Sequence, residues 1–165
     1  MAIRYQVLAC DYDGTLAPAG RMDPATVEAL RQVRATGRRV VLLTGRELPD
    51  LLALLPEPEL FDRIVAENGG LLYNPSAKTE KTLAAAPPPA FVELLRSRGV
   101  APLSVGRTIV ATWRPHEHTV LSAIHDLGLE MQVIFNKDAV MPVGAQTSTP
   151  CSAVKYARRA SSCTG

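Results

Sequence analysis

The 165-residue sequence has no apolar run long enough to cross a membrane. It also lacks the basic, apolar and small-residue succession of a secretory leader, because Met1-Ala2-Ile3-Arg4-Tyr5 runs straight into a predicted strand. No membrane association and a cytoplasmic location are the expectations. Cysteine is scarce: Cys10, Cys151 and Cys163 are odd in number and without CxxC spacing, which excludes a disulfide framework and a zinc site of the usual kind. Charge of one sign is scarce too. The formal net charge is +2, and the arginines, though they greatly outnumber the lysines, are scattered, so nucleic acid is not an expected partner. His116, His118 and His125 do not suit one metal, since His118 and His125 would lie roughly 10 Å apart along a helix. They read as exposed residues.

What the chain does have is Val7-Leu8-Ala9-Cys10-Asp11-Tyr12-Asp13-Gly14-Thr15-Leu16, an apolar run ending in two carboxylates, a glycine and a threonine. A buried strand would carry Asp11 and Asp13 to its carboxyl end, where parallel α/β sheets bind ligands. Side chains alternate along a strand, so the two acids would leave on one side and Tyr12 on the other. Two carboxylates this close repel unless a cation or a shared proton lies between them, which points to Mg²⁺ and phosphate chemistry. A strand end followed by a plain Asp-Gly turn is the alternative.

Asp23-Pro24 caps a helix whose apolar face is Val27, Leu30 and Val33 and which Gly37 ends. Val40-Val41-Leu42-Leu43 is too continuous and too short for an amphipathic helix and reads as a strand buried on both faces. It ends at Thr44-Gly45-Arg46, before a leucine-rich helix that Pro56 and Pro58 break. Arg63 to Ala66 is a third strand, Glu67-Asn68-Gly69-Gly70 a turn, and Leu71 to Tyr73 a returning strand. Ala84 to Pro89 reads as a spacer. After it the pattern predicts helices from about 90 to 98 and 116 to 127, with strands near 108–113, 131–135 and 139–141. That is an α+β block of its own, ordered as a small sheet covered by two helices. Trp113 reads as a core residue of this block.

Taken together, Ala9 to Leu16, Leu42 to Arg46 and Val65 to Gly70 resemble the haloacid dehalogenase superfamily of phosphohydrolases, in the class whose cap is inserted after the third core strand. The resemblance implies an α/β fold: a Rossmann-like parallel core beginning in residues 1–75, an inserted α+β cap over 76–142, and an atypical tail from 143 to 165 where the rest of the core is missing. It implies a phosphatase acting on a small phosphorylated metabolite such as a sugar phosphate. Asp11 would be the nucleophile that forms an aspartyl phosphate and Asp13 the acid/base. Mg²⁺ would be held by Asp11 and Asp13. Phosphate and substrate would meet backbone amides after Asp11, from Tyr12 through Gly14 and Thr15, the Thr44 hydroxyl beside Gly45, and Arg46 and Asn68. Thr44 can also be a helix cap, Arg46 a surface arginine and Asn68 a turn residue.

The family also uses a lysine after the cap and a late acidic metal ligand. The lysine would fall near Thr147, Lys155 is the only downstream lysine, and no Asp or Glu follows Asp138. A truncated or frame-shifted carboxyl end, impaired turnover, and self-association through an open sheet edge are the expectations. A non-catalytic binding module of the same fold is the alternative. A receiver-like phosphoacceptor is disfavoured by the inserted block.

Overall fold

The computed structural model describes residues 5–136 and 138–144. The expected lysine position near Thr147, Lys155 and the atypical tail beyond Gly144 lie outside the described residues.

The chain opens with β1 (Val7–Asp11), α1 (Pro24–Ala35), β2 (Arg39–Leu43), α2 (Leu48–Leu54) and β3 (Arg63–Ala66). The Asp23 carboxylate accepts the Thr26 amide at 2.6 Å and fixes where α1 begins. The three strands are parallel, with Asp11 opposite Leu43 and Leu43 opposite Val65. Their carboxyl ends therefore share one edge of the sheet. The burial of β2 on both faces follows from alternation: Val40 and Leu42 pack with Val27, Leu30, Leu48 and Leu51 of the two helices, whereas Val41 packs with Val65 and Leu72 on the reverse face.

After the turn at 67–70 the sheet continues antiparallel, through β4 (Leu71–Asn74) and β5 (Thr79–Thr82), giving the order β1-β2-β3-β4-β5. The first sheet thus runs on to Thr82, and β5 has no counterpart in the sequence reading. Its residues Thr-Glu-Lys-Thr are all exposed, so no apolar alternation marks them. Among the described residues β1 forms the opposite edge of this sheet.

A second sheet follows, with α3 (Pro89–Ser97), β6 (Ser104–Val105), β7 (Val110–Trp113), α4 (Glu117–Asp126), β8 (Met131–Asn136) and β9 (Ala139–Gly144). The strands are antiparallel in the order β6-β7-β9-β8. Phe91, Leu95, Val120 and Ala123 of the helices bury one face against Val110 and Val140, forming a core separate from that of the first sheet. The other face, carrying Ala111, Trp113, Ala139 and Met141, turns toward the carboxyl ends of β1 and β2.

Candidate active site

Beyond β1 the backbone folds back on itself. Leu16 and Ala17 amides donate to the carbonyls of Asp11 and Tyr12 at 3.3 and 2.9 Å, and the Gly14 amide donates to Ala17 O at 3.3 Å. Gly14 makes the turn at φ +79°, a conformation open to glycine without a side-chain penalty. Asp11 and Asp13 are exposed on one side of this loop, and the Tyr12 ring is fully buried on the other. Alternation accounts for both.

Tyr12 was among the residues expected at the phosphate. Its ring belongs instead to the core, its hydroxyl donates to Gly20 O at 3.3 Å, and its amide extends the β1–β2 ladder by donating to Leu43 O at 3.0 Å. The Gly14 amide is likewise committed. Among the described residues the Asp13 and Thr15 amides have no hydrogen-bond acceptor, so they are the ones free to meet an anion in this loop.

At the end of β2, buried Thr44 holds three pieces of backbone. Its amide donates to Val65 O at 2.9 Å, its carbonyl accepts the Asn68 amide at 3.2 Å, and its Oγ1 accepts the Arg46 amide at 3.1 Å. The last contact uses an oxygen lone pair and leaves the hydroxyl proton available to donate. Arg46 reaches back to β1. Its Nε lies 3.1 and 2.9 Å from the Asp13 oxygens and its Nη2 2.7 Å from Oδ1, with the guanidinium 5.7 Å from the Tyr12 ring centroid. Donating to the Asp13 carboxylate raises the Arg46 pKa above its ordinary value, against the opposing effect of burial. Asn68 sits against Gly45, where a Cβ would come within 2.8 Å of Asn68 Oδ1, and donates through Nδ2 to Met141 Sδ at 3.5 Å. Thr44, Gly45, Arg46 and Asn68 therefore meet at adjoining strand ends.

A cavity of about 540 Å³ lies between the two sheets, a size suited to a small-molecule ligand. Asp11, Asp13, Gly45 and Arg46 line one side, with Glu47 and Asp50, and Ser104, Ile109, Ala111, Trp113 and Met141 line the other. Trp113 was expected in a core. It is 51% exposed and faces this cavity, because Val110 and Thr112 take the helix-covered face of β7 and leave Ala111 and Trp113 for the opposite one. Glu47, Asp50 and the lining residues of the second sheet were not visible as site residues in sequence. None of the three histidines lines the cavity: His118 and His125 are exposed, and His116 Nε2 lies 3.0 Å from Ala101 O.

Among the described residues no three His, Cys, Asp or Glu side chains come together as a metal cluster. Magnesium does not require one, because it commonly keeps several waters and takes one or two carboxylates plus substrate phosphate oxygens. The Asp11 carboxylate is exposed and, among the described residues, has no hydrogen-bond donor. The Asp13 carbonyl accepts no hydrogen bond among those residues either, whereas the Asp11 and Tyr12 carbonyls do. These two oxygens fit such an ion.

A family model described as haloacid dehalogenase-like hydrolase matches residues 8–103. The chain belongs to this family. It is 38% identical over 111 residues to a phosphoglycolate phosphatase of Halorubrum lacusprofundi, a match covering 67% of this chain and 47% of that protein. A phosphoglycolate phosphatase of Halobacterium salinarum is 41% identical over 66 residues, covering 40% of this chain and 28% of the relative. The chain thus spans about half the length, or less, of these curated relatives. In fold it is similar to a haloacid dehalogenase-like hydrolase from Bacteroides thetaiotaomicron, with a TM-score of 0.75 at 16% identity over 96% of this chain and 78% of that one. A subclass IIB sugar phosphatase gives a TM-score of 0.70 at 18% identity, over 95% and 76% of the two chains. Among the described residues no helix is long and apolar enough to cross a membrane.

Proposed function

We propose that the chain carries the nucleophile half of a phosphate-monoester hydrolase site, with Asp11 attacking phosphorus and Asp13 handling the proton. The observation that supports this most directly is the placement of both carboxylates beside one roofed cavity, at the end of a parallel strand, with a guanidinium fixed on the second. Asp11 Oδ would form the bond to phosphorus as the ester oxygen leaves. Asp13 would donate the proton to that oxygen and take one from the water that hydrolyses the aspartyl phosphate. The Asp13 and Thr15 amides, the Thr44 hydroxyl and Arg46 would bind the remaining phosphate oxygens. Mg²⁺, held by the Asp11 carboxylate and the Asp13 carbonyl, would offset the repulsion between carboxylate and phosphate.

The substrate is a small phosphorylated metabolite, either sugar-phosphate-like or a short phosphorylated acid such as the curated relatives' names indicate. The second sheet acts as the cap over the reacting groups, and the setting is cytoplasmic. The β1 edge, without a further strand among the described residues, is the surface for self-association, which sedimentation velocity over a concentration series would register as a growing sedimentation coefficient. Hydrolysis of p-nitrophenyl phosphate, with Mg²⁺ and with EDTA, tests the catalytic reading. Mg²⁺-dependent release that Asp11→Asn abolishes is expected, and equal rates in the two proteins would defeat it.

A second reading, a non-catalytic module that keeps the fold and binds phosphate, draws on the closure of Arg46 over Asp13. It predicts phosphate binding by calorimetry with no turnover.

A further inference from the structure

Glu67 is fully buried although it is ionisable, and the proposed chemistry does not use it. It lies in the turn after β3 with φ +53°, a left-handed conformation that costs a non-glycine residue energy and persists only where the surroundings hold it. The surroundings are a loop of the second sheet some 40 residues away. Glu67 Oε1 accepts the Arg107 amide at 3.2 Å, and Oε2 accepts the Thr108 amide at 2.7 Å and the Thr108 hydroxyl at 2.8 Å. Thr108 is itself fully buried.

Two glycines show how closely the pieces fit. A Cβ at Gly106 would meet the Glu67 carboxyl group at 3.0–3.1 Å, and one at Gly70 would come within 2.0 Å of Thr108 Oγ1. The loop is anchored a second time on the first sheet, where the Arg107 guanidinium pairs with Glu80 of β5. Ile109, next along the chain, begins the stretch whose residues Ala111 and Trp113 roof the cavity.

We propose that Glu67 is a positioning residue: its carboxylate bolts the loop at 106–108 to the turn after β3, and so sets the distance and orientation of the roof over Asp11 and Asp13. Backbone amides that leave a strand pairing need acceptors, and a buried carboxylate supplies several at once with a fixed direction. Fixing the roof this way pre-forms the pocket in which a phosphate ester is bound, so that binding does not have to order the roof. The assignment rests on the proposed catalytic reading only in its kinetic consequence. The mechanical connection stands apart from it.

Trp113 is the sole tryptophan of the chain and lies on the roof, so its fluorescence reports roof position whether or not the protein turns over substrate. The test compares the full chain with Glu67→Ala, Glu67→Gln and Thr108→Val, each first shown to melt cooperatively. Acrylamide quenching of Trp113 is measured for all, and kcat and KM for p-nitrophenyl phosphate with Mg²⁺. The expected result is a quenching constant at least twofold higher in Glu67→Ala, intermediate in Thr108→Val, and partly restored in Glu67→Gln, which keeps an acceptor oxygen. KM should rise at least about fivefold in Glu67→Ala while kcat moves less. Should Glu67→Ala not fold, Gly106→Ala, which presses on the carboxylate without removing it, joins Thr108→Val in carrying the quenching comparison. Quenching unchanged across the folded variants overturns the proposal, as does altered quenching with unaltered KM in an active protein. A wild-type chain without turnover would refute the catalytic reading alone, and quenching would still decide the role of Glu67.

Discussion

Arg46 closes on Asp13 through two nitrogens, so the acid at the end of one strand is held by the base at the end of the next. Both side chains are partly exposed, 35% and 40%, so screening limits what the pair adds to stability, to about 1 kcal/mol or less. Its greater effect is on position. It fixes the Asp13 carboxylate beside Asp11 and places a positive charge where phosphate would enter.

Arg46→Ala is therefore expected to leave the melting temperature within a few degrees of wild type while raising KM for p-nitrophenyl phosphate about tenfold. Arg46→Lys should fall between the two, since an ammonium keeps the charge but cannot span both carboxylate oxygens. Steady-state kinetics beside thermal melts checks both. A loss of stability as large as the loss of activity would show that the pair is structural.

Tyr12 gives the converse pattern. The ring fills the core beneath the site, and truncation to alanine should cost about 3–5 kcal/mol by analogy with other large aromatic deletions. Tyr12→Phe loses only the long hydrogen bond to Gly20 and should cost about 1 kcal/mol or less, with kcat/KM unchanged. Urea titration and kinetics on the two variants read this out. A catalytic defect in Tyr12→Phe would return Tyr12 to the site.

The cap of α1 predicts a pH effect. The hydrogen bond from the Thr26 amide holds the Asp23 carboxyl below its ordinary value. A group with a depressed folded-state pKa stabilises fully above its unfolded value of about 3.9, and that contribution is lost as pH falls through the folded-state pKa. Asp23→Ala should therefore lower the melting temperature at pH 7, and the gap from wild type should narrow as the pH is taken below about 3.9. Calorimetric melts across that range check it, and a gap that stays constant would contradict the assignment.

The parts of this protein that were readable in sequence are those governed by local periodicity. Strand alternation separates Asp11 and Asp13 from Tyr12, continuous apolarity marks β2, and Asp23-Pro24 marks where α1 starts. The unreadable parts depend on contacts between distant segments. The exposed β5 has no apolar pattern of its own and exists because β4 pairs with it. Alternation puts Ala111 and Trp113 on one face of β7, but nothing local says which face meets the helices, and Trp113, expected in the core, lines the cavity. Glu67 looked like an ordinary turn residue because its three hydrogen-bond donors come from residues 107 and 108.

If Asp11 forms a bond to phosphorus, that bond can be trapped. The protein would be mixed with p-nitrophenyl phosphate and Mg²⁺, quenched in acid within the first turnover, digested, and analysed by mass spectrometry. The expected result is one added phosphoryl group on the peptide containing Asp11, absent from Asp11→Asn and removed by hydroxylamine, which cleaves acyl phosphates. Release of p-nitrophenol with the added group on another residue, or undiminished release by Asp11→Asn, would contradict it.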